Sequence, residues 1–427
     1  MVRWIIKMVP KSIIYIAILL FGNANAEIIC EFVDHGSKND MLCNSNDQTE
    51  ILTSDAIPSY DRITKITFKN CNLIEIQAST FRNLKLLETL DLSQNKIERL
   101  TSETFDGTPD LTYLNISNNL LKDLSFDAFN PIAHLKVLDL SGNRIGEFKN
   151  GLFDNLKQLR KLLLSKNLFA GEVLSEDLFQ STRVIEYLDF SKNDMSFTKE
   201  KILKDLFTLK TLLLDDCNLN SVPQFVVKAN MATITHLSLS RNKITKLSSH
   251  LFRNVFNIEI LNLDENQITN IQVDIFRTMT ELKVLKLRSN NIKVLPGTVF
   301  LFNRKLVNLD LSHNKIEYIL AEFYKGTSLK NLNLADNKFS YLENNFCSKL
   351  KQIGLTLNKL YFNDNPWQCA CLLELINEVK SMEIGYNAAK YNGEHSVCVA
   401  LERRCIRNST ENANFIKLYE DIKKANT

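Results

Sequence analysis

Ser289, His313 and Asp336 follow one another at intervals of 24 and 23 residues. Brought side by side, a serine, a histidine and an aspartate in that order could activate the hydroxyl for acyl transfer. The other histidines are His35, His134, His236, His250 and His395, and none forms a His-x-x-x-His pair. The chain has no Gly-x-Ser-x-Gly elbow and no phosphate-cradling loop. Neither a metal nor a cofactor is therefore expected. Nine cysteines offer either disulfides or a thiolate metal site. For three residues so far apart in sequence to meet, the chain must repeat its path.

It does repeat. LETLDLSQNKI begins at Leu87, LTYLNISNNLL at Leu111, LKVLDLSGNRI at Leu135 and LRKLLLSKNLF at Leu159. Related segments start at Ile185, Leu209, Ile234, Ile258, Leu282, Leu306 and Leu329, with a degenerate copy at Ile63 and a terminal one at Leu357. Fixed-period similarity over about 24 residues marks a stacked array in which no unit buries its faces alone. Positions four and six, such as Leu90 and Leu92, alternate with polar residues and predict a short strand buried on one face. Parallel stacking of thirteen such strands at ~4.8 Å predicts an arc of roughly 60 Å. Position nine is an asparagine in eleven units, from Asn95 to Asn365, whose amide can bond the turns on both sides. Cys71 and Cys217 replace it in two units and read as small buried thiols. A phenylalanine recurs once per unit, at Phe81, Phe105, Phe129, Phe153, Phe179, Phe207, Phe225, Phe252, Phe276, Phe300, Phe323 and Phe346, and predicts a packed spine on the convex side.

The pattern resembles the leucine-rich repeat of the typical class of about 24 residues. That resemblance implies an α/β solenoid, a leucine-rich repeat horseshoe with a parallel β-sheet on its concave face and disulfide-bonded caps. The last repeat runs into NPWQCAC, with Cys398 and Cys405 beyond. This is similar to the C-terminal flanking cap of extracellular leucine-rich repeat proteins and implies the pairs Cys369–Cys398 and Cys371–Cys405. Spacing alone allows three connectivities, and a zinc site is the alternative that an oxidising compartment disfavours. CLLELINEV reads as one amphipathic helix over the open core. The usual tryptophan of that helix and the proline after the third cysteine are absent. Cys30 and Cys43 resemble the two-cysteine N-terminal caps of some arthropod repeat proteins. A disulfide there would add ~3 kcal/mol. Cys347 is left over, as a free thiol, an intermolecular bridge or an unforeseen internal pair.

These features divide the chain into a signal peptide (1–26), an N-terminal cap (27–62), repeats (63–364), a C-terminal cap (365–406) and a polar tail (407–427). The signal peptide reads from Arg3, Lys7 and Lys11, the apolar run Ile13 to Phe21, and Ala24-Asn25-Ala26. That run is too short to span a bilayer, and no later segment does so. The polar end FIKLYEDIKKANT does not read as a lipid-anchor signal. Beyond residue 26 the basic and acidic residues balance, 49 against 49. No excess recruits nucleic acid or an anionic membrane. A secreted, extracellular protein is expected.

The concave face comes from positions three, five, seven and eight. Asp91, Asn115, Asp139, Asp189, Asn262, Asp310 and Asn333 hold position five and read mainly as a solvated column. Leu163 and Leu213 depart from it and flank Tyr187, with Tyr113 and Val137 before them and Ile260 and Val284 after. A contiguous apolar and aromatic strip is a candidate protein contact, although single surface apolar residues are ordinary. Asn115-Ile116-Ser117 and Asn408-Ser409-Thr410 are glycosylation sequons, so a glycoprotein is expected. Ser289, His313 and Asp336 share position eight, about 5 Å apart. An open, wet surface without oxyanion donors or a pocket argues for a polar row and leaves a hydrolase as the distant alternative. No residue is assigned a catalytic role. The family's extracellular members act as recognition modules. The expected function is therefore binding of an extracellular protein or glycoprotein, in innate immunity or cell–cell signalling. An extracellular matrix or adhesion role is the alternative, and a homodimer or a disulfide-linked partner through Cys347 stays open.

Overall fold

The computed structural model describes residues 28–33, 39–45, 50–57, 62–228, 232–248, 251–252, 254–391, 397–400 and 403–425. The expected signal peptide, and His35, His250 and His395, lie outside them. The chain forms two compact units, Met1–Arg144 and Ile145–Thr427. Each is a parallel-strand solenoid.

In the first unit, β1 (Ile28–Phe32) and β2 (Asp40–Ser45) pair antiparallel, with Cys30 opposite Cys43 and the two joined by a disulfide. β2 then runs parallel to β3 (Lys65–Thr67), followed by β4 (Thr89–Asp91), β5 (Tyr113–Asn115) and β6 (Val137–Asp139). Ile66, Leu90, Leu114 and Leu138 lie in register and are fully buried. Each such residue stabilises the stack by about 1.5–3 kcal/mol. A stack of parallel strands ends in an unpaired edge, and the β1–β2 hairpin covers it.

The second unit continues the pattern. Its strands are β7 (Lys161–Leu163), β8 (Tyr187–Asp189), β9 (Thr211–Leu213), β10 (His236–Ser238), β11 (Ile260–Asn262), β12 (Val284–Lys286), β13 (Asn308–Asp310), β14 (Asn331–Asn333) and β15 (Lys359–Tyr361). Asn290 shows why the turn recurs. Its amide nitrogen donates to Leu263 O (2.9 Å) and Leu287 O (3.1 Å), and its oxygen accepts Ile268 N–H at 3.0 Å. One buried side chain thus satisfies three backbone groups on adjacent turns. At Cys217 the thiol reaches Phe190 O at 3.4 Å, replacing one of these bonds. Residue eight of the repeat is left-handed throughout, including Lys192, Arg241, Ser289, His313 and Asp336.

The spine corrects two expectations. Phe276, Phe300 and Tyr324 stack with centroids 6.0 and 6.3 Å apart and planes within 11°. Tyr324 is fully buried, so it holds the place expected of Phe323, which stays half-exposed. Phe207 is 48% exposed, while Leu203 and Leu206 are buried beside it. The core takes the residue at the right distance along the turn, not the nearest aromatic.

Two short helices carry other spine residues, α1 (Gln224–Lys228) and α2 (Phe346–Gln352). The C-terminal cap is α3 (Cys369–Ser381), which buries Cys371, Leu372, Leu375 and Val379 over the core end. Disulfides Cys369–Cys398 and Cys371–Cys405 hold it, in the pairing the family resemblance implies. Trp367 is buried, stacks on Phe339 and donates from Nε1 to Phe362 O at 2.8 Å. The polar end of the chain forms α4 (Ser409–Ala425). Its Phe415 and Tyr419 pack on Val399, and Lys338 pairs with Glu420 at 2.7 Å.

Candidate functional site

The solvent side of a repeat sheet is written by positions three and five, because four and six are consumed by the core. In the second unit the position-three row reads Lys161, Tyr187, Thr211, His236, Ile260, Val284, Asn308, Asn331 and Lys359. The position-five row reads Leu163, Asp189, Leu213, Ser238, Asn262, Lys286, Asp310, Asn333 and Tyr361. The expected strip therefore resolves into two clusters. Leu163 and Leu213 stand on either side of Asp189, with Tyr187 diagonal to both. Ile260 and Val284 are direct neighbours. His236 and Ser238 part the two clusters, and all five apolar or aromatic residues are half-exposed. The Lys161 ammonium lies 4.6 Å from the Tyr187 ring centre, a contact the sequence reading missed. Burial, with the charges of Asp189 and Asp215, raises the Tyr187 hydroxyl above its usual range.

The acidic column at position five turns out to brace the fold. Asp189 accepts Ser191 N–H at 2.9 Å, Asp310 accepts Ser312 N–H at 2.9 Å, and Asn262 accepts Asp264 N–H at 3.1 Å. Each closes the turn after its own strand by the local bond that Asp and Asn side chains favour. Leucine cannot make it. After Leu213 the Asp215 N–H turns to Ser191 Oγ (3.2 Å). After Ser238 and Lys286, the N–H of Ser240 and of Arg288 turns to a carboxylate of the preceding repeat, Asp215 and Asp264 respectively. Asp264 is half-buried. Burial, abetted by the Asp310 charge, pushes its carboxyl up to about 6.

In the first unit, Tyr113 and Val137 are direct neighbours on β5 and β6 and are half-exposed. Burial and the carboxylates of Asp91 and Asp139 raise the Tyr113 hydroxyl. Asn115 is braced like the aspartates, its oxygen accepting Ser117 N–H at 3.0 Å. Asn408, the other sequon residue, is exposed just before α4.

The Ser289, His313 and Asp336 row assembles in part. His313 Nδ1 lies 2.6 Å from Asp336 Oδ2, but its Nε2 faces the Arg288 guanidinium at 3.4 Å. A general base must reach the nucleophile's proton, and here the imidazole is directed to Arg288 instead of Ser289. Cys71, Cys217 and Cys347 are free and buried, and burial raises all three thiols, Cys217 to about 12. Cys347, 1% exposed on α2, is bonded to no other cysteine among the described residues, as the free-thiol reading has it. Among the described residues no cluster of three or more His, Cys, Asp or Glu is placed to hold a metal ion, and no helix is long and apolar enough to cross a membrane.

Comparison with known proteins agrees with this architecture. A family model described as Leucine rich repeat matches residues 61–121, 109–169, 207–267 and 256–316. A second, described as BspA type Leucine rich repeat region, matches residues 289–392. No curated protein matches the sequence. Among solved structures, a leucine-rich repeat protein of Leptospira interrogans is 23% identical with a TM-score of 0.64, covering 77% of this chain and 84% of that one. The leucine-rich repeat domain of APL1B is 20% identical with a TM-score of 0.53, covering 80% and 89%. A chain of the Toll–Spatzle complex of Drosophila is 21% identical with a TM-score of 0.50, covering 82% and 54%. Likeness at this level of identity is likeness of fold.

Proposed function

The chain belongs to the leucine-rich repeat family, and from that premise we propose that it is a secreted recognition module that binds another extracellular protein through the sheet face of residues 145–427. One observation carries this reading. At Leu163 and Leu213 the repeat gives up a position-five turn brace for a half-exposed leucine, and the two leucines flank Tyr187. Nothing in the core or the turns asks for leucine there. Half-exposed apolar side chains around a tyrosine form the sort of surface that becomes an energetic centre when a partner excludes water from it. The disulfides at both ends of the chain support an oxidising, extracellular setting. So does the basic and apolar amino-terminal sequence.

The test is a capture experiment from extracellular fluid with two baits, the native protein and a Tyr187→Ala/Leu213→Ala variant. Circular dichroism checks that both fold. A partner retained by the first and lost by the second supports the reading. Equal capture by both baits refutes this face as the site.

A further inference from the structure

A separate site stands at the far end of the same sheet. Residues 384–387 run beside β15: Leu360 N–H donates to Gly385 O at 2.9 Å, and Gly385 N–H returns to Asn358 O at 2.9 Å. The cap thereby raises a wall over the end of the sheet, bearing Tyr386 and Asn387. Between wall and floor lies a hollow of about 530 Å3 whose floor includes Arg288, Asp310, Asn333 and Tyr361. The volume is within the roughly 300–1,000 Å3 range of small-molecule sites.

The lining indicates what fits. It is polar, which disfavours a lipid or an apolar peptide anchor. It carries one cation and one carboxylate, Arg288 and Asp310, beside His313, which is held by Asp336 from outside the lining. A net anion meets the Asp310 carboxylate and a net cation meets the arginine, so the chemistry favours a neutral ligand. The polar groups are fixed in place but not exhausted. Asp310 is oriented by Ser312 and by the Asn333 amide at 3.1 Å. The Tyr361 hydroxyl and the Asn387 side-chain amide bond no partner among the described residues. The Tyr361 ring adds flat apolar surface beside these donors and acceptors, while the Tyr386 ring at the wall is stacked on Phe362 at 5.9 Å. A ligand answering all three features is rich in hydroxyls, uncharged, and apolar on one flat side.

We propose that this hollow binds a neutral pyranose sugar, as a free saccharide or as the terminal residue of a glycan. Tyr361 would take the C–H face of the ring, and Arg288, Asp310 and Asn387 its hydroxyls. The position of Tyr361 fits: it is another residue that leaves the position-five brace unmade.

The experiment uses the full secreted chain on immobilised neutral and acidic glycans, with methyl glycosides of common hexoses and N-acetylhexosamines as free competitors. Retention on at least one neutral glycan, displaced by the methyl glycoside of its terminal sugar, is the expected result. Displacement by the monosaccharide alone identifies a sugar-ring site. Displacement only by the intact glycan extends the site to a glycan terminus. Tyr361→Ala and Asn387→Ala should each weaken retention at least tenfold, and Tyr187→Ala should leave it unchanged, which separates this site from the protein-binding face. Circular dichroism confirms folding, with Tyr361→Phe as a second variant that retains the ring. No retention on neutral glycans, retention on acidic glycans alone, or undiminished retention by folded Tyr361→Ala and Asn387→Ala variants would each overturn the proposal.

Discussion

Neighbouring residues Phe323 and Tyr324 should respond to truncation to very different extents. The structure stacks Tyr324 on Phe300, planes 9° apart, and buries it completely, while Phe323 lies half-exposed with its ring edge-on to Tyr318. Truncating a fully buried aromatic costs about 3–5 kcal/mol, because transfer and cavity penalties add. Truncating a half-exposed one should cost about 1 kcal/mol. Tyr324→Ala should therefore lower the urea midpoint several times more than Phe323→Ala. A third variant sharpens the argument. The Tyr324 hydroxyl is buried without a hydrogen-bond partner among the described residues, and burial raises its pKa. An unpaired buried hydroxyl costs about 1–3 kcal/mol. Tyr324→Phe should then raise stability by about 1 kcal/mol or more at unchanged m-value. Equilibrium urea unfolding followed by circular dichroism measures all three. A Phe323→Ala loss larger than that of Tyr324→Ala would refute the spine register. A Tyr324→Phe loss of about 1 kcal/mol would show that the hydroxyl is satisfied.

Three further outcomes are expected. Asn290→Ala removes the bonds its amide donates to Leu263, Leu287 and Arg288 and orphans the Ile268 N–H, so it should cost about 3 kcal/mol in urea unfolding, with Asn290→Cys recovering part of it; a loss below about 1 kcal/mol would contradict the ladder. Asp264 has a folded-state pKa of about 6, above its usual 3.8, so its contribution to stability is full below pH 4 and lost as pH rises through 6. Asp264→Asn should accordingly stabilise by about 1–2 kcal/mol at pH 7.5, after discounting for solvent screening, and by nothing measurable at pH 4. Cys71, Cys217 and Cys347 should resist iodoacetamide in the native protein and react in urea, which mass spectrometry of the labelled peptides resolves.

The repeats were legible because every requirement is local and recurs. Leucines at positions four and six must be buried, and asparagine at nine must serve three backbone groups. The cap helix and its cysteine pairs were legible for a related reason, since NPWQCAC is read from residues close in sequence. The spine was misread in two units for want of counting from the correct end. From Leu87, Ile234, Ile258 and Leu282 the spine residue comes eighteen positions later, and the same count from Ile185 and Leu306 lands on Leu203 and Tyr324. The shorter repeat that starts at Leu306 loses its residue after the spine, so Phe323 kept its distance from the next strand and lost its place in the core. The floor of the terminal hollow could be read from the repeat, in Asp310, His313 and Asn333, but its wall could not. Tyr386 and Asn387 lie outside the period, and only the folding back of residues 384–387 along β15 sets them over Tyr361.

The brace at position five offers a way to separate folding from recognition. Aspartate or asparagine at that position accepts an N–H two residues on, as Asn115 does from Ser117 at 3.0 Å. Leu163 is followed two residues later by Ser165, so Leu163→Asn recreates the Asn115 arrangement, sequon included, and both proteins are therefore produced in a host that does not attach N-glycans. Asparagine is the better choice over aspartate because Leu163 faces Asp189 across the strands, and like charges there repel. The substitution exchanges about 1 kcal/mol of partial apolar burial for about 1 kcal/mol of turn hydrogen bond, so stability should change by less than about 1 kcal/mol. Recognition should respond differently, since the apolar cluster around Tyr187 loses one of its two leucines. Partner capture should fall at least tenfold while the urea midpoint stays in place. If the midpoint falls by the full value of a core leucine, about 2–5 kcal/mol, then Leu163 serves the stack and the face beside Tyr187 has no claim to a partner. If neither quantity moves, the leucine is a neutral surface residue, and recognition must be sought elsewhere on the sheet.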